Sequence, residues 1–396
     1  MKKTLIIAGI ILILLVAAFW VYLLLFNPQD GEGGGFGSFG LSGNSAGDRG
    51  GFSSDNSFGD SAGTVDTATN ANGSVEALKQ LTTRPVAGAV FVGNSIRYVE
   101  QGTGHIYEIA LSSGSESQIS ATTITETTYA LFSDQGDRVA VYSDANGGTI
   151  TVGTINRADG GGSLSGINLP AGSREIGWSA SGTEIFYLDK AVDGSTAYAY
   201  NLDTKSSQPL FSVPLNDVEV LWGSDTYVYT TPTAEQTGYI YKIGNNTLDF
   251  VTAGKRGLMG IKWKNGLIVS HAENKSIVSS ILENGGSYSL ILGAVPDKCS
   301  VGNASSVNIA YCGAPISFPN GSYPDDWYKG LLSLTDVLWS IDLDSGEAAV
   351  LSDLSAESGR EIDIATIGTN DDGTLVWFTN KNDGALWMFD TLATLQ

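Results

Sequence analysis

The chain has 396 residues, of which 16 % are charged and 50 are glycine, and its 42 acidic against 21 basic residues give a net charge of −21. A surface that acidic repels nucleic-acid phosphates and anionic lipid headgroups, so nucleic acid is excluded as a partner. Two cysteines and two histidines, with no Cys-x-x-Cys, His-Glu-x-x-His or spaced Cys/His cluster, exclude zinc and c-type haem sites, and no cofactor is expected.

Lys2 and Lys3 precede an uncharged apolar run, Leu5 to Phe26, that ends at Asn27-Pro28. As a helix the run spans roughly 33 Å, enough for the hydrocarbon core. Trp20 and Tyr22 lie near its outer end, where amphipathic aromatics favour the headgroup level, and the lysines favour the cytoplasmic side. The sequence predicts a single-pass signal anchor over residues 1–28, with the N-terminus cytoplasmic and the remainder extracytoplasmic. The competing reading is a signal peptide cleaved after Val16-Ala17-Ala18, but the apolar run continues well past Ala18. Residues 29–75 are expected to form a Gly/Ser-rich disordered tether, because so few β-branched residues cannot bury enough surface to offset the entropy of ordering. A flexible coil of that length reaches roughly 35–40 Å on average.

Residues 76–396 carry a weak internal repeat. Its unit is an apolar strand, a tight turn, an alternating second strand, a third strand rich in Tyr, Ile and Leu, and a short fourth. The residues closing the first strands are Val92, Phe132, Trp178, Trp222, Trp263, Val301 and Thr369, spaced by 38–46 residues except for the last interval. Four strands in such a length make one blade, so the sequence predicts an all-β, seven-bladed β-propeller. A blade cannot bury its faces alone, and the strand-end aromatics are expected between blades. The seventh copy lacks room for a fourth strand, and Ala77 to Thr83, just ahead of copy one, are expected to supply it.

The turns Ser133/Gly136/Val139 and Ser179/Gly182/Ile185, with Asn370/Gly373/Val376 as a variant, each lead into a Tyr- or Trp-rich strand, and Asp-containing turns follow at Asn201 and Asp342. In these features the chain resembles the TolB-like and dipeptidyl-peptidase-type WD40-like propellers. The resemblance implies a scaffold or binding platform. Taken with the anchor and tether, it also implies a membrane-anchored propeller of the bacterial envelope.

Cys299 opens the first strand of copy six and Cys312 closes its second, which places them side by side in an antiparallel pair and predicts a structural disulfide. The pair staples the base of one conspicuous insertion, Gly313 to Leu334, between second and third strands. Asp325, Asp326, Trp327 and Tyr328 sit together at its tip, on the face propellers commonly use for ligands. Exposed Trp and Tyr beside carboxylates suit a protein hot spot or the stacking of a sugar ring, and these four are the expected binding residues. Against this stands the reading that Trp327 folds back to cap the channel or pack on blade six.

No catalytic signature is found. A peptidase partner domain would need a Gly-x-Ser-x-Gly elbow, and no Asp-x-Asp-x-Asp-Gly calcium loop occurs. A glycosidase needs two facing carboxylates; Asp325, Asp326 and Asp336 are candidates for one, with no partner that sequence places. His105 and His271 read as strand-end residues. The expected function is therefore that of a non-enzymatic binding or adaptor module for a protein or polysaccharide at the cell envelope, the alternative being a carbohydrate-active propeller.

Overall fold

A computed structural model describes residues 76–157, 162–245, 247–302 and 308–393. The expected anchor and the whole of the expected tether lie outside the described residues, and among those described no helix is long and apolar enough to cross a membrane.

The described chain forms seven four-stranded antiparallel sheets. Their first, innermost strands are Val86–Val92, Thr127–Phe132, Arg174–Trp178, Val218–Leu221, Met259–Trp263, Cys299–Val301 and Ile364–Thr369, and they number blades one to seven in chain order. The strand-end residues read from the repeat thus close the inner strands, with Trp222 one position beyond Leu221. Second strands are apolar on both faces because each is sandwiched between neighbouring blades; Val139, Ala140 and Val141 are all fully buried. The strand-end indoles tie blades together as expected: Trp178 Nε1 donates to Leu131 O at 2.9 Å and Trp222 Nε1 to Glu175 O at 2.6 Å.

The turns behind the family resemblance share one backbone solution. Gly136 and Gly182 sit at φ 66° and 68°, and each donates its N–H to the serine three residues earlier at 2.8 Å. A side chain at either φ would be strained, which is why glycine recurs there.

Ring closure follows the expected scheme. Leu78–Gln80 joins the last sheet as its fourth strand, in register Leu78↔Phe389, Lys79↔Met388 and Gln80↔Trp387. Leu81 N and Leu386 N add hydrogen bonds to Leu386 O and Thr82 Oγ1 at 2.8 and 3.1 Å. Leu78 is buried against Phe378, Trp387 and Phe389, so the closure is apolar as well as hydrogen-bonded.

The disulfide is present. Cys299 and Cys312 are directly opposed in blade six, with Cα atoms 4.1 Å apart. It closes a short loop, and a Cys299→Ala/Cys312→Ala chain is expected to lose about 3 kcal/mol in the chain-entropy account. Denaturant titration with and without reductant checks this; identical midpoints would contradict it.

Candidate functional site

The insertion leaves the second strand of blade six at Pro315 and returns at Asp336. Pro324 precedes one helical turn, Asp325–Tyr328, whose two leading carboxylates favour its N-terminal end. Ser322 N donates to Asp326 Oδ2 at 2.7 Å and fixes the entry to that turn.

The expected binding residues lie together, but the side chains of Asp325, Trp327 and Tyr328 point into the protein. Asp325 accepts from Ala234 N at 2.5 Å and Thr233 Oγ1 at 3.1 Å, which ties the turn to blade four. Tyr328 OH donates to Asp297 Oδ2 at 2.5 Å, just ahead of blade six. Trp327 has no exposed surface, and its indole N–H donates to both oxygens of Asp363, ahead of blade seven, at 3.0 and 3.1 Å. The expectation of an exposed Trp at the loop tip is therefore corrected: the indole satisfies a buried carboxylate, while Tyr323, Met259 and Leu334 pack around it. The insertion folds down over one end of the ring. Trp327→Ala is expected to cost about 4 kcal/mol through cavity formation and a weakened Asp363. Chemical unfolding measures it, and a loss within experimental error would return Trp327 to the surface.

Beneath the insertion runs the central channel. A cavity of about 340 Å³ is bordered by the inner strands of all seven blades. Its walls are mostly apolar, from Ala89, Ile176, Val220, Ile261 and Ile367, with Tyr129, Glu175, Tyr229 and Asp297 among them towards the insertion. The backbone aims these groups. Glu175 sits at φ 51° in a β-bulge between Arg174 and Gly177, and bulges also interrupt the starts of the inner strands of blades one, two and seven. A bulge re-aims the side chain beside it.

Three carboxyl groups meet here. Glu175 accepts from Val220 N at 3.3 Å, and Glu219, directly opposite Tyr229 on the neighbouring strand, accepts from its hydroxyl at 2.9 Å. The second Glu219 oxygen is buried with no partner. Burial pushes the Glu175 carboxyl up to about 7, against the Val220 N–H and the Arg174 charge, which pull it down. Burial and then the nearby Glu175 and Asp297 charges hold Glu219 well above the usual range. Asp297 is pushed up to about 6, chiefly by burial and in spite of the Tyr328 hydroxyl and the Lys298 and Lys381 charges. Such groups hold protons near neutrality and release them when a cation or a donor arrives. Among the described residues no cluster has metal-ligating geometry.

No protein-family model and no curated protein matches the chain. Solved structures do. An oligogalacturonate lyase in complex with manganese aligns over 82 % of this chain and 95 % of its own, with TM-score 0.54 and 10 % identity. An oligogalacturonate lyase from Vibrio parahaemolyticus aligns over 79 % and 93 %, with TM-score 0.53 and 9 % identity. The β-propeller domain of the Trilobed protease from Pyrococcus furiosus aligns over 78 % and 95 %, with TM-score 0.50 and 13 % identity. The shared feature is the propeller. At these identities the likeness shows the fold and carries no residue across. The protease propeller has an open velcro topology, whereas here Leu78–Gln80 completes the last sheet.

Sequence reasoning missed the channel acids. Their signal lies in the repeat: Tyr129, Glu175 and Glu219 each stand three positions before the strand-end residues Phe132, Trp178 and Trp222. Aligning the copies on those residues puts two glutamates at one level of the ring.

Proposed function

We propose that the chain is a binding module held outside the membrane by its N-terminal apolar run, and that its channel receives a group of an envelope protein or glycan. One observation carries this reading: a cavity of about 340 Å³ touched by every blade, with Glu175, Asp297, Tyr129 and Tyr229 in a mostly apolar wall. Apolar walls with a few convergent polar groups are what small-group sites share. The insertion supports the reading by capping one end. Its own aromatics are spent on packing, which moves the expected contact surface from the loop tip into the channel.

The test is a comparison of wild type with Ala365→Leu, which adds bulk to the channel wall, against a glycan array and envelope protein extracts. Partners that bind wild type should bind the variant at least roughly tenfold more weakly, since a filled cavity forfeits its contacts. Equal binding would remove the channel from the site.

One observation favours a carbohydrate-active propeller as a second reading. Two carboxyls in one channel, at about 6 and about 7, are suited to proton transfer near neutral pH. Turnover of oligosaccharides by wild type, lost in Glu175→Gln and Asp297→Asn, would establish it; no turnover of any oligosaccharide by wild type ends it.

A further inference from the structure

Behind Trp327 lies a second cluster that the channel does not use. Lys298 Nζ has no exposed side-chain surface and stands between two equally buried carboxylates, 2.7 Å from Asp336 Oδ2 and in contact with Asp363 Oδ1. The far oxygen of Asp363 is surrounded by donors: Leu334 N at 3.0 Å, Ser333 Oγ at 3.1 Å and Trp327 Nε1 at 3.1 Å. Asp336 Oδ2 also accepts from Ile364 N at 2.7 Å, and Asp336 Oδ1 is buried without a partner. The Trp327 ring lies 4.8 Å from Lys298 Nζ and screens the group from water.

An amine, a carboxyl carbon, a base and an oxyanion site are thus assembled in a dry pocket. We propose that Lys298 and Asp363 condense to an intramolecular amide, with Asp336 carrying the protons. The Lys298 ammonium gives one proton to Asp336, which passes it to Asp363 Oδ1, and the freed lone pair attacks Cγ of the neutral carboxyl. The negative charge of the tetrahedral intermediate falls on Oδ2, where the Leu334, Ser333 and Trp327 donors are already aimed. Asp336 then collects a second proton from Nζ and delivers it to Oδ1, and the Cγ–Oδ1 bond breaks to release water. Three ammonium protons become one amide N–H and one water, Asp336 ends as it began, and no oxidant or reductant is needed. Fixed proximity supplies the entropy of the encounter. Replacing a desolvated ion pair by a neutral amide removes charges that are costly to bury. Burial, opposed by Lys298, places the Asp336 carboxyl at about 6, within reach of both protonation states near neutral pH.

The bond would join the segment entering blade six to the segment entering blade seven, beneath the turn that carries Trp327. Its test needs only the full-length protein, denatured, reduced and digested with trypsin. The expected result is no cleavage after Lys298 and a branched peptide joining Ser276–Lys329 to Glu361–Lys381, lighter than the two linear peptides together by one water. Asp336→Asn should slow formation roughly a hundredfold, the usual effect of losing a positioned base, and Asp336→Glu should restore it. The wild-type digest decides the bond whether or not a variant folds. Cleavage after Lys298 with a linear Glu361–Lys381 peptide overturns the proposal, and an undiminished branched product in Asp336→Asn overturns the role of Asp336.

Discussion

Deleting residues 76–84 is expected to unfold the ring rather than trim it. The segment supplies the fourth strand of the last sheet and buries Leu78 and Leu81, which are 4 % and 6 % exposed. Each buried leucine truncated to alanine costs about 2–5 kcal/mol. Loss of both with the strand's hydrogen bonds approaches the roughly 5–15 kcal/mol that holds a typical protein folded. The strand Leu386–Asp390 would become an exposed edge, an invitation to association with other chains. Calorimetry should show no cooperative transition, or one lowered by at least about 10 °C, with Leu78→Ala alone giving part of that effect. A truncated protein that melts with the full-length one would show that the ring holds without its closure.

Stability is also expected to rise as pH falls from about 7 to about 4.5, the reverse of ordinary acid denaturation. Glu175 binds its proton more tightly folded, at about 7, than in an unfolded chain, where a glutamate titrates at its ordinary 4.5. Between those values the native state holds more protons than the unfolded one, so stability is lost as pH rises through the window and fully present below it. A shift of that size corresponds to about 3 kcal/mol. Glu219 acts in the same direction, and Asp297 adds a smaller share because it keeps contact with water in the channel. Below the window the opposite class takes over: Glu108, held low by Arg97 and Arg157, loses its ion pairs as it is protonated. Melting temperatures should therefore climb by about 5 °C between pH 7 and pH 5, and Glu175→Gln should flatten the climb. A flat or falling wild-type profile would mean that these carboxyls are hydrated.

The fold was legible because its physics repeats. Strand-end residues recur at a nearly constant interval, and a seventh copy short of one strand pointed to Ala77–Thr83 as the partner of Leu386–Asp390. Cys299 and Cys312 were legible for the same reason, since opposed positions in an antiparallel pair follow from the turn between them. The site was less legible. Trp327 stands among prolines and carboxylates, a composition that reads as exposed. Its burial depends on Lys298, Asp336 and Asp363, which come from three separate segments and meet only where blade seven packs on blade six. Glu175 and Glu219 were hidden differently. A glutamate at a strand entrance reads as solvent-facing; a bulge re-aims Glu175 into the channel wall, and Glu219 is buried against Tyr229 in blade four.

An accessible channel with Glu175 and Asp297 in its wall should select incoming reagents by charge. With Cys299 and Cys312 paired, Ala365→Cys supplies a single free thiol in the channel wall. Its reaction in the folded protein at pH 8, above the values of about 7 for Glu175 and about 6 for Asp297, can be followed with cationic and anionic thiosulfonates of similar size. The predicted result is modification at least roughly tenfold faster with the cation, as an acidic cleft concentrates positive reagents. A thiol that stays unreactive until the protein unfolds, or that prefers the anion, would contradict the account.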